Sequence, residues 1–193
     1  MNKVELRRRF QNRLLSMSDE QRKSKSRRAC RNLVSTEQFQ DASIVMMYLS
    51  LPHEVDTSEA ILHAWQLGKT VAVPKISWQQ RHMLPVGIDS LETGFSTGIG
   101  GLRNPVSGVP IPFGEIDLVV SPALGFDRRG NRLGRGGAFY DRFFANDELT
   151  AARCGFAFAE QVVDVIPVTD DDEPVEFLVT DEGVISCNSQ KGA

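Results

Sequence analysis

The chain has 193 residues, 41% of them apolar, with a net charge of −3 and a pI of about 5.7. That is enough apolar material for one compact domain, or a large and a small one closely joined, while no run approaches the roughly 20 apolar residues of a bilayer-spanning helix and the first residues lack the apolar centre of a signal peptide. Cys30, Cys154 and Cys187 are widely spaced and form neither a CxxC pair nor a disulfide framework, so a reducing cytoplasmic setting away from membranes is expected.

Charge is uneven along the chain. Residues 1–31 hold eleven Lys or Arg against three acids, and the remainder carries −11. Such a basic arm can bind nucleic acid, close over the phosphates of a nucleotide, or form one solvated face of two helices; charge alone favours the solvated face. Val4, Leu6, Phe10 and Leu14 give an apolar stripe over Lys3–Leu15, which predicts the first helix. Ser18, followed by Gln21 three residues later, is a capping-box signal for a second helix to about Val34.

The run IVMMYL at 44–49 suits a strand buried on both faces of a parallel sheet. A cap signal at 56–59 and a stripe through Ile61, Leu62, Ala64, Trp65 and Leu67 predict a crossover helix ending near Gly68. The next strand is expected at 70–73, stopped by Pro74, which completes a βαβ unit. Residues 76–115 are rich in Gly, Pro and Ser and are read as short antiparallel strands or a lid. A strand at 116–120, a long loop at 122–137, a short helix at 138–144, and strands at 154–159 and 177–180 follow. Residues 170–173 form an acidic turn, and the tail after Ile185 is expected to be frayed or loosely packed. The sum is an α/β fold, a three-layer Rossmann-like domain with a mostly parallel central sheet, spanning residues 1–193 as a single domain.

The strongest chemical signal is SPALGFDRRGNRLGRGGAFYDR at 121–142. In open α/β sheets ligands collect beyond the carboxyl ends of strands, and this loop leaves such an end. Gly134, Gly136 and Gly137 permit tight turns and let backbone amides approach an anion. Arg132 and Arg135 can add forked charged hydrogen bonds to phosphate oxygens. Asp141 can hold Mg2+ directly or through water. The stretch contains neither GxxxxGK[ST] nor a GxGxxG directly after a strand, so the alternative is a sharp connection whose arginines pair with local acids. Phe139 and Tyr140 fit core rings, and Tyr140 fits equally an amphipathic face toward a planar ligand. Asp127 can orient Arg132 or act alone.

Other positions are less pointed. Lys3 and Arg7 lie one helical turn apart and can reach one phosphate together, or simply decorate a charged helix. Glu54 follows the first expected strand. His53, His63 and His82 have no metal-ligand spacing, the cysteines lack a nucleophile's setting, and no Ser-His-Asp or paired-carboxylate motif stands out.

Residues 117–142 resemble the signature of the 5-formyltetrahydrofolate cyclo-ligase family, whose usual form is a hydrophobic strand, a Pro, a Gly- or Ala-Phe-Asp, then RLGxGxGxYDR. The likeness extends to KVELR at 3–7, the strand and acid at 48–57, GKTVAVP at 68–74, GLRNP at 101–105 and the late proline and acidic turn at 167–176. It implies an enzyme that uses ATP and Mg2+ to cyclise 5-formyltetrahydrofolate, with or without a polyglutamate tail, to 5,10-methenyltetrahydrofolate, releasing ADP and phosphate. Phosphorylating the formyl oxygen makes a leaving group, and N10 then closes the ring; no covalent enzyme nucleophile is needed. By this resemblance Lys3, Arg7, Arg132, Leu133, Gly134, Arg135, Gly136, Gly137 and Tyr140 contact ATP, and Arg132, Arg135 and Asp141 are catalytic, with Asp141 at the metal. Glu54 anchors the folate, with Met83, Asn104 and Tyr140 in its pocket. Asn104 stands where Glu is most common, Arg135 where Tyr is common, Ala138 where Gly is common and Asp171 where His is common. The expected state is a monomer or weak homo-oligomer without nucleic acid. The competing readings are a folate-family paralogue with another substrate, a different phosphometabolite enzyme of α/β fold, and a non-enzymatic nucleotide- or nucleic-acid-binding protein.

Overall fold

The computed structural model describes residues 2–187. In chain order the helices are α1 (Lys3–Leu15), α2 (Asp19–Val34), α3 (Glu37–Asp41), α4 (Ser58–Gln66) and α5 (Phe139–Phe144). The strands are β1 (Ile44–Met47), β2 (Thr70–Ser77), β3 (His82–Ile88), β4 (Phe95–Thr97), β5 (Arg103–Pro105), β6 (Leu118–Ser121), β7 (Gly125–Asp127), β8 (Arg132–Leu133), β9 (Ala152–Phe156), β10 (Val162–Val163), β11 (Phe177–Thr180) and β12 (Gly183–Ser186).

Seven strands form the central sheet in the order β12-β11-β9-β6-β1-β2-β3. The four inner pairings are parallel, and the edge strands β12 and β3 run antiparallel to their neighbours. Alternation along each strand sorts side chains between two cores. Val45, Met47, Val71, Val73, Leu118, Val120, Phe177 and Val179 join α1, α2, α3 and α4 on one face. Met46, Ala72, Val119 and Leu178 meet Phe143 and Phe144 of α5 on the other. This is a Rossmann-like α/β fold with a mixed but largely parallel sheet.

Capping boxes close the first two helices, the one at Ser18 as predicted. Asn2 and Glu5 cap α1 reciprocally, and Ser18 and Gln21 cap α2. Asn2 and Glu5 are a box the sequence reading passed over. α1 buries Leu6, Phe10 and Leu14, with Val4 left exposed. α2 is tied to the far end of the sheet by Asp181, which accepts from Lys25 at 2.8 Å, Arg28 at 3.2 Å and the Ala159 amide at 2.8 Å.

Several expectations need correction. Pro74 does not end its strand. The parallel pairing of β2 with β1 covers only Thr70–Ala72, but β2 continues to Ser77 against β3, where Pro74 faces Pro85 and neither needs a partner's N–H. The 122–137 stretch is not a plain loop: β7 and β8 form a hairpin there, and β10 adds to it. The strand expected at 154–159 is Ala152–Phe156. Ser186 belongs to β12 and the Cys187 amide donates to the Glu176 carbonyl, so neither is frayed, and residues 188–193 lie outside the described residues. Residues 76–115 contain the antiparallel strands β3, β4 and β5. Among the described residues no helix is long and apolar enough to cross a membrane.

Candidate active site

Between β1 and β6 the sheet changes direction of growth: β2 and β3 extend to one side, while β9, β11 and β12 extend to the other. Ligands of open α/β sheets bind beyond the carboxyl ends of strands at such a switch point. The segment after β1 carries Glu54. The segment after β6 carries Arg132 through Asp141. Both leave the same edge of the sheet, because β1 and β6 are parallel.

The loop from Gly134 to Ala138 is open. Gly134 is half-buried and residues 135–138 are exposed. Gly136 sits at φ +107°, where a side chain would be strained, and a Cβ there would meet nothing within 4 Å. Ala138 is also left-handed, at φ 51°. Among the described residues the amides of 134–141 donate to no carbonyl or side chain. Unpaired backbone donors at a surface bend are a ready place for a phosphate.

Arg132 and Asp141 lie behind this bend. Arg132 Nη2 donates to Asp141 Oδ1 at 2.5 Å, with the Arg132 side chain only 4% exposed and that of Asp141 17%. The guanidinium carbon lies 5.4 Å from the Tyr140 ring centroid and 5.7 Å from that of Phe144. Burial pushes the Arg132 guanidinium down, against the pull of Asp141. Its Nε is buried without a partner among the described residues. The Glu173 amide also donates to Asp141 Oδ1, at 3.4 Å. Asp141 Oδ2 has no hydrogen-bond partner among the described residues. Arg132 therefore fixes Asp141 rather than presenting its own fork at the surface.

Glu54 is placed opposite. Its side chain is 10% exposed; Oε2 accepts from the Leu51 amide at 2.9 Å, and Oε1 accepts from Arg135 Nη2 at 3.3 Å. Burial raises its carboxyl above the ordinary value, with the Leu51 amide and Arg135 opposing. Tyr140 is half-buried between Arg132 and Phe144, and burial, then the charge of Glu54, pushes its phenol up. Its hydroxyl has no hydrogen-bond partner among the described residues.

α1 reaches the same place. Arg7 Nε donates to the Gly134 carbonyl at 3.0 Å, and Lys3 Nζ pairs with Asp172 Oδ2 at 2.5 Å. Burial would raise Asp172, but the hydrogen bonds from Lys3 and Thr169 outweigh it and hold the carboxyl down. Asp172 is a site-side residue that sequence reasoning did not single out. The signal was present: four acids in a row at 170–173 match an N-terminal arm rich in cations.

Three predicted positions lie outside the open face. Leu133 is 1% exposed in the core, and its carbonyl accepts from the Leu124 amide. Met83 is buried in the same cluster as Tyr140 and Phe143. Asn104 uses both ends of its amide on Ile76: Oδ1 accepts from the Ile76 amide at 2.8 Å and Nδ2 donates to its carbonyl at 3.0 Å. Asn104 thus clamps β5 to β2. Among the described residues Asp127 makes no hydrogen bond or ion pair with Arg132; it accepts from the amides of Arg129, Asn131 and Ile166 and from Asn131 Nδ2, organising the β7–β8 turn. Trp78, at the β2–β3 turn, packs edge-on to Phe139 with centroids 5.2 Å apart. Two concavities lie elsewhere, on the exposed basic side of α2 and along the β2–β3 edge beside Trp65 and Phe95.

Among the described residues no group of three or more His, Cys, Asp or Glu converges as a metal cage. Mg2+ does not require such a cage, since it usually takes one or two carboxylate oxygens and completes its shell with phosphate and water. Asp141, held by Arg132 and keeping one oxygen unengaged, is the residue suited to that role.

The comparisons agree on kinship. A family model described as the 5-formyltetrahydrofolate cyclo-ligase family matches residues 1–181. A 5-formyltetrahydrofolate cyclo-ligase from Mus musculus is 29% identical over 195 residues, covering 94% of each chain. One from Haemophilus influenzae is 30% identical, covering 75% of this chain and 77% of its own. The solution structure of Aquifex aeolicus 5,10-methenyltetrahydrofolate synthetase superposes with a TM-score of 0.83 at 27% identity, covering 100% of this chain and 95% of that one. A Mycoplasma pneumoniae 5,10-methenyltetrahydrofolate synthetase shares the fold with a TM-score of 0.76 at 16% identity, covering 94% of this chain and 99% of that one. A match from the first helix through β11, on a chain whose signature loop sits at the sheet's switch point, means that this protein belongs to the 5-formyltetrahydrofolate cyclo-ligase family.

Proposed function

We propose that the protein converts 5-formyltetrahydrofolate and Mg·ATP to 5,10-methenyltetrahydrofolate, ADP and phosphate. The observation that carries this reading is the open bend 134–138, whose amides are unengaged among the described residues and whose Arg135 reaches Glu54 just ahead of Asp141. A bend packed against its own carbonyls would have no donors left for a triphosphate.

In this reading the amides of 134–138 and the Arg135 guanidinium receive the phosphates. Lys3 and Arg7, already beside Gly134 and Asp172, add positive charge from the α1 side. Asp141 holds Mg2+, which neutralises charge on the transferring phosphoryl group. Glu54 accepts from the amino-pyrimidine edge of the folate, and the Tyr140 hydroxyl serves the same pocket. Arg132 acts through Asp141. Asn104 and Met83 shape the pocket wall, Asn104 by holding β5 to β2 and Met83 by filling the core behind Tyr140. The residues orient and neutralise; none forms a bond to the substrate.

The test follows methenyltetrahydrofolate absorbance and phosphate release together, with ATP, Mg2+ and 5-formyltetrahydrofolate supplied. Equal formation of both products is expected. No cyclised product and no folate-dependent phosphate would sink the assignment.

A further inference from the structure

Two residues proposed for different substrates hold each other. Arg135 belongs to the phosphate bend and Glu54 to the folate side, and they meet at 3.3 Å through one nitrogen and one oxygen. The contact is poised for exchange. Arg135 is 46% exposed and stands on a segment whose own amides donate to nothing among the described residues, its ties being the Gly134 and Gly137 carbonyls, which accept from Arg7 and Arg142. Half-exposed, singly bonded pairs of this kind are weak. Glu54 is the buried partner, and its second oxygen stays fixed by Leu51 whether or not Arg135 is present. When Arg135 leaves, a buried carboxylate keeps a single N–H donor, a deficit that a ligand's own donors relieve.

We propose that Arg135 and Glu54 form a latch linking the two substrate sites: a triphosphate that draws Arg135 away frees Glu54 for the folate, and the folate likewise frees Arg135. The proposal rests on the cyclo-ligase reading and adds a coupling to it. Either ligand alone must break the pair. Once one has done so, the second binds without that opposition. The coupling is therefore positive and equal in both directions, with a size set by the strength of the pair.

The latch predicts opposite signs for one substitution. Arg135→Ala weakens binding of a non-hydrolysable β,γ-imido ATP with Mg2+, yet tightens nucleotide-free binding of 5-formyltetrahydrofolate by roughly threefold to tenfold. Loss of positive charge beside an anionic folate would do the reverse. Glu54→Gln mirrors this: folate binding weakens, and folate-free binding of the ATP analogue tightens by a similar factor. Calorimetric titration of each ligand, with and without the other, reads all of these. In the wild-type protein each ligand strengthens the other roughly threefold to tenfold, and in Arg135→Ala that factor falls to about one. Wild-type turnover with no tightening of folate in Arg135→Ala, or with coupling unchanged by it, overturns the latch and leaves the cyclo-ligase reading standing. A wild-type protein that neither binds folate nor turns it over overturns both.

Discussion

Arg132 and Arg135 look interchangeable in the sequence, three residues apart in one glycine-rich run, but the fold gives them different work. The two-residue strand β8 pairs with β7 and turns Arg132 under Tyr140 and Phe144, while Arg135 lies beyond it on the open bend. Arg132 is a buried cation whose one ion-pair partner among the described residues is Asp141. Removing one partner of such a pair strands the other, at about 3 kcal/mol. Asp141→Ala is expected to lower unfolding free energy by about that much, read from urea midpoints. Asp141→Asn keeps an acceptor for Arg132 and loses less stability. Its folate-dependent phosphate release should still fall roughly 100-fold with an altered magnesium dependence, because the free oxygen has lost its charge. Equal magnesium response in Asp141→Asn and wild type would remove the metal role. The candidate site was legible as a cluster because Gly, Arg and Asp together form a recognisable pattern. Which arginine faces outward was not, since that depends on a hairpin with no strong strand signal of its own.

Among elements, α1 and α2 were legible to the residue through a periodic stripe and, for α2, a cap. What the sequence hid is how they dock. Gly125 on β7 is the seat of α1: a Cβ there would come within 2.3 Å of the Phe10 ring. Gly125→Ala should displace Phe10, cost about 2 kcal/mol through overpacking, and loosen Arg7 from Gly134. A thermal melt reads the first effect and a raised KM for ATP the second. α2 docks through Asp181, whose side chain is fully buried between Lys25 and Arg28. Burial alone would raise this carboxyl, but hydrogen bonds from Lys25, the Ala159 amide and Arg28 outweigh it and hold it below its ordinary 3.8. A depressed folded value gives stability that is present above pH 3.8 and lost as pH falls through the lower folded value. Asp181→Asn should be less stable near neutrality by about 2 kcal/mol and lose less on acidification through that window. Parallel acid-stability curves for the two proteins would refute this. Pro74 was misread for a related reason: a proline stops a strand only where its N–H is wanted, and the edge pairing with Pro85 makes no such demand.

At the scale of the whole molecule, the site is built from stretches far apart in the chain: the first turns of α1, the segment after β1, the bend after β6 and the acidic turn before β11. Periodicity reports what a segment buries, not which distant segment it meets, so the contact of Lys3 with Asp172 across 169 residues was beyond local pattern. The excess of cations in residues 1–31 was visible, but as a diffuse charge with three explanations. The structure gives these cations unequal surroundings. Lys3 and Arg7 touch Asp172 and Gly134, whereas Arg9 on the same helix is exposed with no ion-pair or hydrogen-bond partner among the described residues. Each of the three variants Lys3→Ala, Arg7→Ala and Arg9→Ala removes one positive charge. If α1 acts only as a basic surface, all three should raise KM for ATP by similar small factors that vanish in salt. If it acts as a clasp on the bend, Lys3→Ala and Arg7→Ala should raise that KM about tenfold, a loss of roughly one charge-assisted hydrogen bond, while Arg9→Ala stays within twofold and the KM for folate at saturating ATP is unmoved. Steady-state kinetics of the three proteins at two ionic strengths makes the choice, and a uniform response across all three positions would return α1 to the role of a solvated basic face.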